Sequence, residues 1–247
     1  MRNRSRTRMG KMSILALVAG VLFTAGVSAQ ESGEGRLATA DGFRLFSDKG
    51  FSFEYRLSDS GETSVMNVYL KSTDRSVVLS VYTAPAKLAG RKVFMDGNTF
   101  WMLDKKMRDP IRISSRQMLF GQASAGDITR LSFSDGYTVT GETTEGDLAV
   151  LELQAKAGKE TSYPRVRLEV RASDSRPVRA EFYAATGTLM KTIYYDGYQT
   201  IGGKVLLVKF RMVNALNKAE SVIELGKFEA KTIENRYFSR EGMKALK

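Results

Sequence analysis

The chain has 247 residues, 43% of them hydrophobic and 26% charged, with no cysteine and no histidine. Those two absences exclude disulfides, thiolate metal sites and a cysteine nucleophile, and they remove the commonest general base and the commonest metal ligand. The formal charge of +11 falls to +6 beyond residue 29, where 33 basic residues face 27 acidic ones, scattered without a long basic run; nucleic acid is not an expected partner.

The first 29 residues stand apart. Arg2, Arg4, Arg6, Arg8 and Lys11 precede the apolar run "SILALVAGVLFTAGVSA", which ends in the small residues Val27, Ser28 and Ala29. This is the pattern of a secretory signal peptide, residues 1–29, cleaved after Ala29. An uncleaved N-terminal anchor is the alternative. With no adjacent arginine pair, the general secretory route is expected, and with no cysteine there is no lipid-modified N-terminus. Residues 30–247 are expected to form one domain, since a chain of this length buries a sizeable core and shows no composition break.

From residue 51 onward, short segments of period-two alternation are bounded by Gly, Asp, Ser or Asn, which is the pattern of an all-β chain. Strands are predicted over 51–57, 64–71, 76–83, 91–95, 98–104, 110–113, 136–143, 147–155, 164–171, 177–185, 188–195, 204–213 and 219–228. Pro110, Pro164 and Pro177 fall where strands begin, the position proline tolerates because it donates nothing to the ladder. In the later strands Val166, Leu168 and Val170 oppose Arg165, Arg167, Glu169 and Arg171, so one face of the sheet is wet. Met66, Val68 and Leu70 share an apolar face, and Leu206, Val208, Phe210 and Met212 share another. Phe100 and Met102 lie opposite Trp101 and Leu103; both faces of that strand are apolar, and alternation alone leaves Trp101's direction open. Helical patterns are few: 114–121, with Ser114 or Ser115 as N-cap and Gly121 as stop, the following "SAGDITRLSF", a tail starting near Ser239, and a short helix in the entry segment.

Catalytic and metal motifs are not apparent. "QAKAGKET" lacks the Ser or Thr of a phosphate-binding loop and reads as a hairpin turn; Ser115, Ser124 and Ser134 sit in no G-x-S-x-G elbow. No cofactor, no metal and no catalytic residue is expected. The 11 methionines, 13 phenylalanines and 10 tyrosines suit either an adaptable apolar cavity or an ordinary core.

"GRKVFMDGNTFWMLDKKMRDPIRISSRQMLFGQASAGDI", residues 90–128, resembles a recurring pattern of the outer-membrane lipoprotein-sorting, or LolA-like, family: strand, Gly turn, strand with tryptophan near aspartate, then an Ile-Ser segment leading to a short helix. The later strands, with "G-x-L-x-K" from Gly187 to Lys191 and "Y-x-x-I-G-G-K" from Tyr198 to Lys204, resemble that family too. The resemblance implies a mainly β fold, a half-open antiparallel β-barrel of about 11 strands whose hydrophobic concave face is covered by short helices. It implies a periplasmic carrier, working as a monomer, that binds acyl chains of lipid or lipoprotein and passes them between membrane partners such as an inner-membrane transporter and an outer-membrane acceptor. The cavity candidates are then Met66, Val68, Leu70, Phe100, Trp101, Met102, Leu206, Val208, Phe210 and Met212. The lid candidates are Arg112, Arg116, Met118, Leu119 and Phe120; the family's lid-holding arginine has no single counterpart here, and Arg112 and Arg116 are merely close to it in sequence. A sensory or regulatory binding module is the alternative function, and a phospholipid-processing enzyme using Ser or Asp a more distant one.

Overall fold

Pairing of the alternating segments produces one antiparallel sheet. The computed structural model describes residue 1 and residues 32–71, 74–129, 131–159 and 161–246; the expected signal peptide, Met1 apart, lies outside the described residues. The unit that follows Gln30 holds every element. Helix α1 (Gly33–Gly42) leads to β1 (Phe51–Asp59), β2 (Glu62–Lys71), β3 (Asp74–Ala84), β4 (Lys92–Asp96), β5 (Thr99–Leu103) and β6 (Ile111–Ile113). A short hairpin, β7 (Met118–Phe120) and β8 (Ala123–Ser124), runs into α2 (Ala125–Thr129). Then come β9 (Tyr137–Glu145), β10 (Leu148–Ala155), β11 (Arg165–Arg171), β12 (Pro177–Tyr183), β13 (Leu189–Ile201), β14 (Lys204–Asn214), β15 (Glu220–Glu229) and α3 (Gly242–Ala245).

The main sheet has 13 strands, in the order β6-β5-β4-β3-β2-β1-β15-β14-β13-β12-β11-β10-β9. All but one of its pairings join neighbours in sequence. The exception is β1 with β15, which fuses two meanders, β1 to β6 and β9 to β15, at the middle of the sheet. The expected half-open barrel of about 11 strands is thus an open sheet of 13 with free edges at β6 and β9. Laid flat, such a sheet would be roughly 55–60 Å wide at 4.7–4.9 Å per strand. Instead, Val93, Met95 and Phe100 from one half and Ala149, Leu151 and Leu153 from the other belong to a single buried cluster. The sheet therefore curls around its apolar face, and Asn98 Nδ2 of the β4–β5 turn donates to Gly158 O beyond β10 at 2.7 Å.

The edge at β9 is covered by α1. Glu34 Oε1 accepts from Val139 N at 2.7 Å, filling a donor that an edge strand leaves open. Arg36 then bonds Glu142 at 2.9 Å and Ala172 O at 2.9 Å. Past α1, Phe46 packs on Phe51 and Phe228, and Phe53 stacks on both of those rings. This aromatic group closes one end of the curl.

Between the two edges, residues 114–136 cross the concave side. The helix expected at 114–121 does not form. Gln117 N bonds Ser114 O at 3.0 Å in a turn, and Met118 to Phe120 then pair with β8. An eight-residue run is too short to offset helix nucleation by itself, and Gly121 sits at φ 50°, where the chain reverses into the hairpin. At this turn Gln122 N donates to Ser221 Oγ at 2.9 Å and Asn214 Nδ2 to Gln122 Oε1 at 3.1 Å, closing the other end of the curl.

The outer face is not uniformly wet. Over β9 to β13 it carries the expected ladder, with Arg179 bonded to Glu169 at 2.6 Å and Arg167 to Glu145 at 2.8 Å. Over β3 to β5, however, Val77, Leu79, Phe94 and Leu103 form a second apolar cluster beneath Phe238 and Met243 of the C-terminal segment. Lys92, buried at 7% exposure, donates its ammonium to Met243 O at 2.8 Å and to Leu246 O, so it holds the end of α3 on this face.

Two outcomes follow from this packing. A Cβ at position 121 would meet Asp59 Oδ2 at 2.6 Å and Ser221 Oγ at 2.7 Å in a left-handed conformation, so Gly121→Ala lowers stability by about 1–3 kcal/mol, read as a lower urea midpoint. Lys92→Met releases the tail's last carbonyls; Trp101, which the tail covers, then emits at longer wavelength while far-UV circular dichroism keeps its β signature.

Candidate functional site

A cavity lies between the concave face of β12 to β14 and the crossing segment. Phe182, Ile193, Tyr195, Phe210 and Met212 form its sheet wall, and Gly126, Asp127, Phe133 and Tyr163 face them, with Arg44 at the end of the α1 loop. Its volume is about 50 Å³. At roughly 10–15 Å³ per water this holds a few waters.

Charge is buried at the cavity wall. Lys191 and Asp127 form an ion pair with side-chain exposures of 5% and 7%. Asp127 Oδ2 also accepts from Ser124 N at 2.8 Å and Ser124 Oγ at 2.7 Å, so the same carboxylate closes the start of α2. Burial by itself pushes the Lys191 ammonium down, but Asp127, together with Tyr163 beside it, outweighs that and leaves its pKa above the ordinary lysine value. The ammonium lies 5.6 Å from the centre of the Tyr163 ring. Asp41 anchors the loop after α2 by accepting from Ser132 Oγ at 2.7 Å, Phe133 N at 2.6 Å and Ser134 N at 2.9 Å; burial raises its carboxyl pKa although these three donors oppose the rise. Arg44 lies over the Phe133 ring at 5.9 Å.

The hydroxyls of Tyr55 and Tyr195 are buried without a hydrogen-bond partner among the described residues. Each such group costs about 1–3 kcal/mol, and burial pushes both phenols well above their usual pKa. Their rings flank Phe210, at 6.3 and 6.2 Å. No group of three Asp or Glu residues placed to hold a metal occurs among the described residues.

The residues proposed from sequence divide between the two faces. Met66, Val68, Leu70 and Phe100 are buried in the inner cluster, with Met102 packed against it, while Phe210 and Met212 line the cavity itself. Leu206 is buried but outside that cluster, and Val208 is half-buried in neither cluster; Leu207 takes the inner place. A register shift between Tyr194 and Tyr198 moves the phase of β14, with Gly197 admitting Lys209 so closely that a Cβ would stand 2.8 Å from it. Strict alternation cannot foresee that shift.

Trp101 is a correction. It packs in the outer cluster under the C-terminal segment, with the Arg240 guanidinium 4.8 Å from its ring, and faces away from the cavity. Arg112 pairs across from Trp101 and so shares the outer face, exposed and away from any lid. Arg116 does reach the cavity rim, donating from Nε to Ser162 O at 3.0 Å. Met118 is exposed, Leu119 is buried in the inner cluster and Phe120 packs against it, all in a hairpin where a lid helix was expected.

Sequence reasoning missed Arg44, Asp127, Phe133, Tyr163, Lys191 and Tyr195. One signal was available: in "LMKTIYY" Lys191 occupies the same strand phase as Ile193 and Tyr195, a lysine in an apolar row. Asp127 and Phe133 carried no periodic signal, since the segment that brings them in has almost no regular structure.

No helix among the described residues is long and apolar enough to cross a membrane. A family model described as "Uncharacterized protein" matches residues 74–245, and no curated protein matches the chain. Among solved structures, a LolA superfamily protein from Nitrosomonas europaea is 26% identical, with a TM-score of 0.75 over 85% of this chain and 98% of that one. A DUF1329 family protein from Desulfovibrio piger is 22% identical, with a TM-score of 0.68 over 86% and 98%. An outer membrane lipoprotein-sorting protein domain from Vibrio parahaemolyticus is 16% identical, with a TM-score of 0.67 over 86% and 100%. The last two share the fold; the first adds sequence identity along nearly its whole length, and the chain belongs to the matched family and, with it, to the LolA-like superfamily that its own motifs resemble.

Proposed function

We propose that the protein is a periplasmic carrier that shields acyl chains of lipid or lipoprotein inside the curled sheet and hands them between membrane partners, an inner-membrane transporter on one side and an outer-membrane acceptor on the other. The observation that carries this reading is the apolar cavity between Phe182, Ile193, Phe210 and Met212 of the sheet and Phe133 of the crossing segment. It continues into the inner apolar cluster that spans both halves of the sheet. The signal peptide expected at residues 1–29 delivers the chain to the compartment where such a container is needed.

The energetics require a cover and not a catalyst. At about 0.8 kcal/mol per CH₂, a 16-carbon chain exposed to water costs roughly 12 kcal/mol, which burial offsets. Release then depends on the recipient binding the chain better, since differential affinity is all that a passive carrier has. The closed cavity is too small for such a chain, so loading must displace the segment 114–136. That segment is held by polar links, Asp127 to Lys191, Arg116 to Ser162 O and Gln122 to Ser221, and by Leu119, Ile128, Leu131 and Phe133 packed in the inner cluster, so opening uncovers apolar surface that the incoming chain then covers.

Organic extraction of the freshly purified protein is expected to yield lipid, and the protein to accelerate transfer of a pyrene-labelled phospholipid between vesicles. Ile193→Phe fills the cavity and should reduce that acceleration severalfold, at a stability cost of about 1–3 kcal/mol for the overpacked ring. A protein that holds no lipid and accelerates nothing overturns the reading. Lys191→Met leaves Asp127 buried and unpaired, so unfolding in urea should show a loss of about 3–5 kcal/mol.

A further inference from the structure

Tyr55 and Tyr195 pose a question that packing does not answer. Both rings press on Phe210 in the inner cluster, where a phenylalanine would fill the same place. Yet both carry a hydroxyl buried without a hydrogen-bond partner among the described residues, the residues being 1% and 7% exposed. Tyr195 lines the cavity, and Tyr55 stands behind Phe210, near enough to Asp127 and Arg44 to feel both charges. The cavity is therefore apolar along Phe182, Ile193 and Met212 and polar where Tyr195, Arg44 and Asp127, the partner of Lys191, line it.

We propose that this polar end is a headgroup site, in which the hydroxyl of Tyr195, beside Arg44, donates to the anionic oxygen head of a single-chain amphiphile whose tail follows the apolar wall. The space already present suits this division. A volume of about 50 Å³ accommodates a carboxylate or phosphate in place of a few waters, while the tail requires the crossing segment to move. Phenol and guanidinium groups donate to anions, and the carboxylate at this wall, Asp127, already receives Lys191 and Ser124. The shared chemistry is an anionic oxygen cluster on one acyl chain, supplied by a fatty acid or by a lysophosphatidic acid. The inference rests on the acyl-carrier reading and adds to it where the head sits and what sign it has.

The test uses the purified protein with a 16-carbon fatty acid bearing a fluorophore at its tail end, the methyl ester of the same molecule, and palmitoyl lysophosphatidic acid as competitor. The acid should bind about tenfold tighter than the ester or better, and Tyr195→Phe should weaken the acid about tenfold without moving the ester. Tyr55→Phe, whose hydroxyl stands behind Phe210 and outside the lining, should leave both affinities unchanged. Neither variant should lower Tm, because each removes a hydroxyl without a hydrogen-bond partner among the described residues. Displacement by lysophosphatidic acid at fatty-acid concentrations supports a phosphate head; displacement by fatty acid alone supports a carboxylate. Equal binding of acid and ester, unchanged in both variants, overturns the headgroup site while leaving acyl carriage standing, the hydroxyls then being served by buried water. A lower Tm in the variants also overturns it, since the hydroxyls would be structural. Binding of neither probe sinks the carrier reading itself.

Discussion

A sheet of 13 strands with one apolar face has to cover that face, and the pairing of β1 with β15 decides how. Each meander forms from local hairpins, so each could assemble from contacts close in sequence. Only the β1–β15 ladder sets the two halves side by side, and once it forms, the shared right-handed twist and the common apolar face bring β4 and β10 into one cluster. The curl leaves two edges that do not meet. All that lies between them, α1 along β9 and the crossing segment from β6 to β9, exists because that gap must be filled.

The fill is of a different kind from the wall. The wall is held by ladders and by rings and aliphatic side chains in register. The crossing segment lends Leu119, Ile128, Leu131 and Phe133 to the same apolar cluster, but instead of the main ladder it is pinned by side chains: Gln122 against Ser221 and Asn214, Asp41 under Ser132 to Ser134, Arg116 on Ser162 O and Asp127 on Lys191. Moving such a segment breaks no strand pairing of the main sheet, although its apolar side chains have to be covered again when it moves. Low local stability is what a segment that gates a binding site needs.

How much of this was legible in the sequence follows from what each signal measures. Alternation reports which faces are apolar, and it placed nearly every strand and the inward rows Met66–Val68–Leu70 and Phe210–Met212. It says nothing of what covers an apolar face, so Trp101 could not be assigned: β5 is apolar on both sides because the C-terminal segment, far away in sequence, lies on the outer one. Alternation also assumes constant phase, and the shift near Gly197 defeated it at Leu206 and Val208. The lid failed for another reason. Ser114 to Gly121 has helix caps and a stop, but so short a run takes the conformation its surroundings stabilise, and there the hairpin turn lets Gln122 N donate to Ser221 Oγ while the Gln122 side chain accepts from Asn214. The charged part of the cavity depends on a loop meeting a strand some sixty residues later, a long-range coincidence that leaves in sequence only the single misplaced lysine of "LMKTIYY".

That lysine also bears on how a carrier could open. Replacing a buried ion pair by apolar side chains of similar volume is often neutral or stabilising by about 1–4 kcal/mol, so the Lys191–Asp127 pair is a poor choice if the purpose is a tightly shut interior. Its usefulness lies in what happens on opening. Apolar partners exposed to water when α2 leaves the wall would resist separation in proportion to their area; an ammonium and a carboxylate regain hydration as they part, which lowers the cost of the open state. The same pair fixes one geometry when closed, because Asp127 must at once receive Lys191 and complete the start of α2. The pair makes the lid specific when shut and offsets part of the cost of uncovering Ile128 and Phe133 on opening, which a contact of unbroken hydrocarbon would not do.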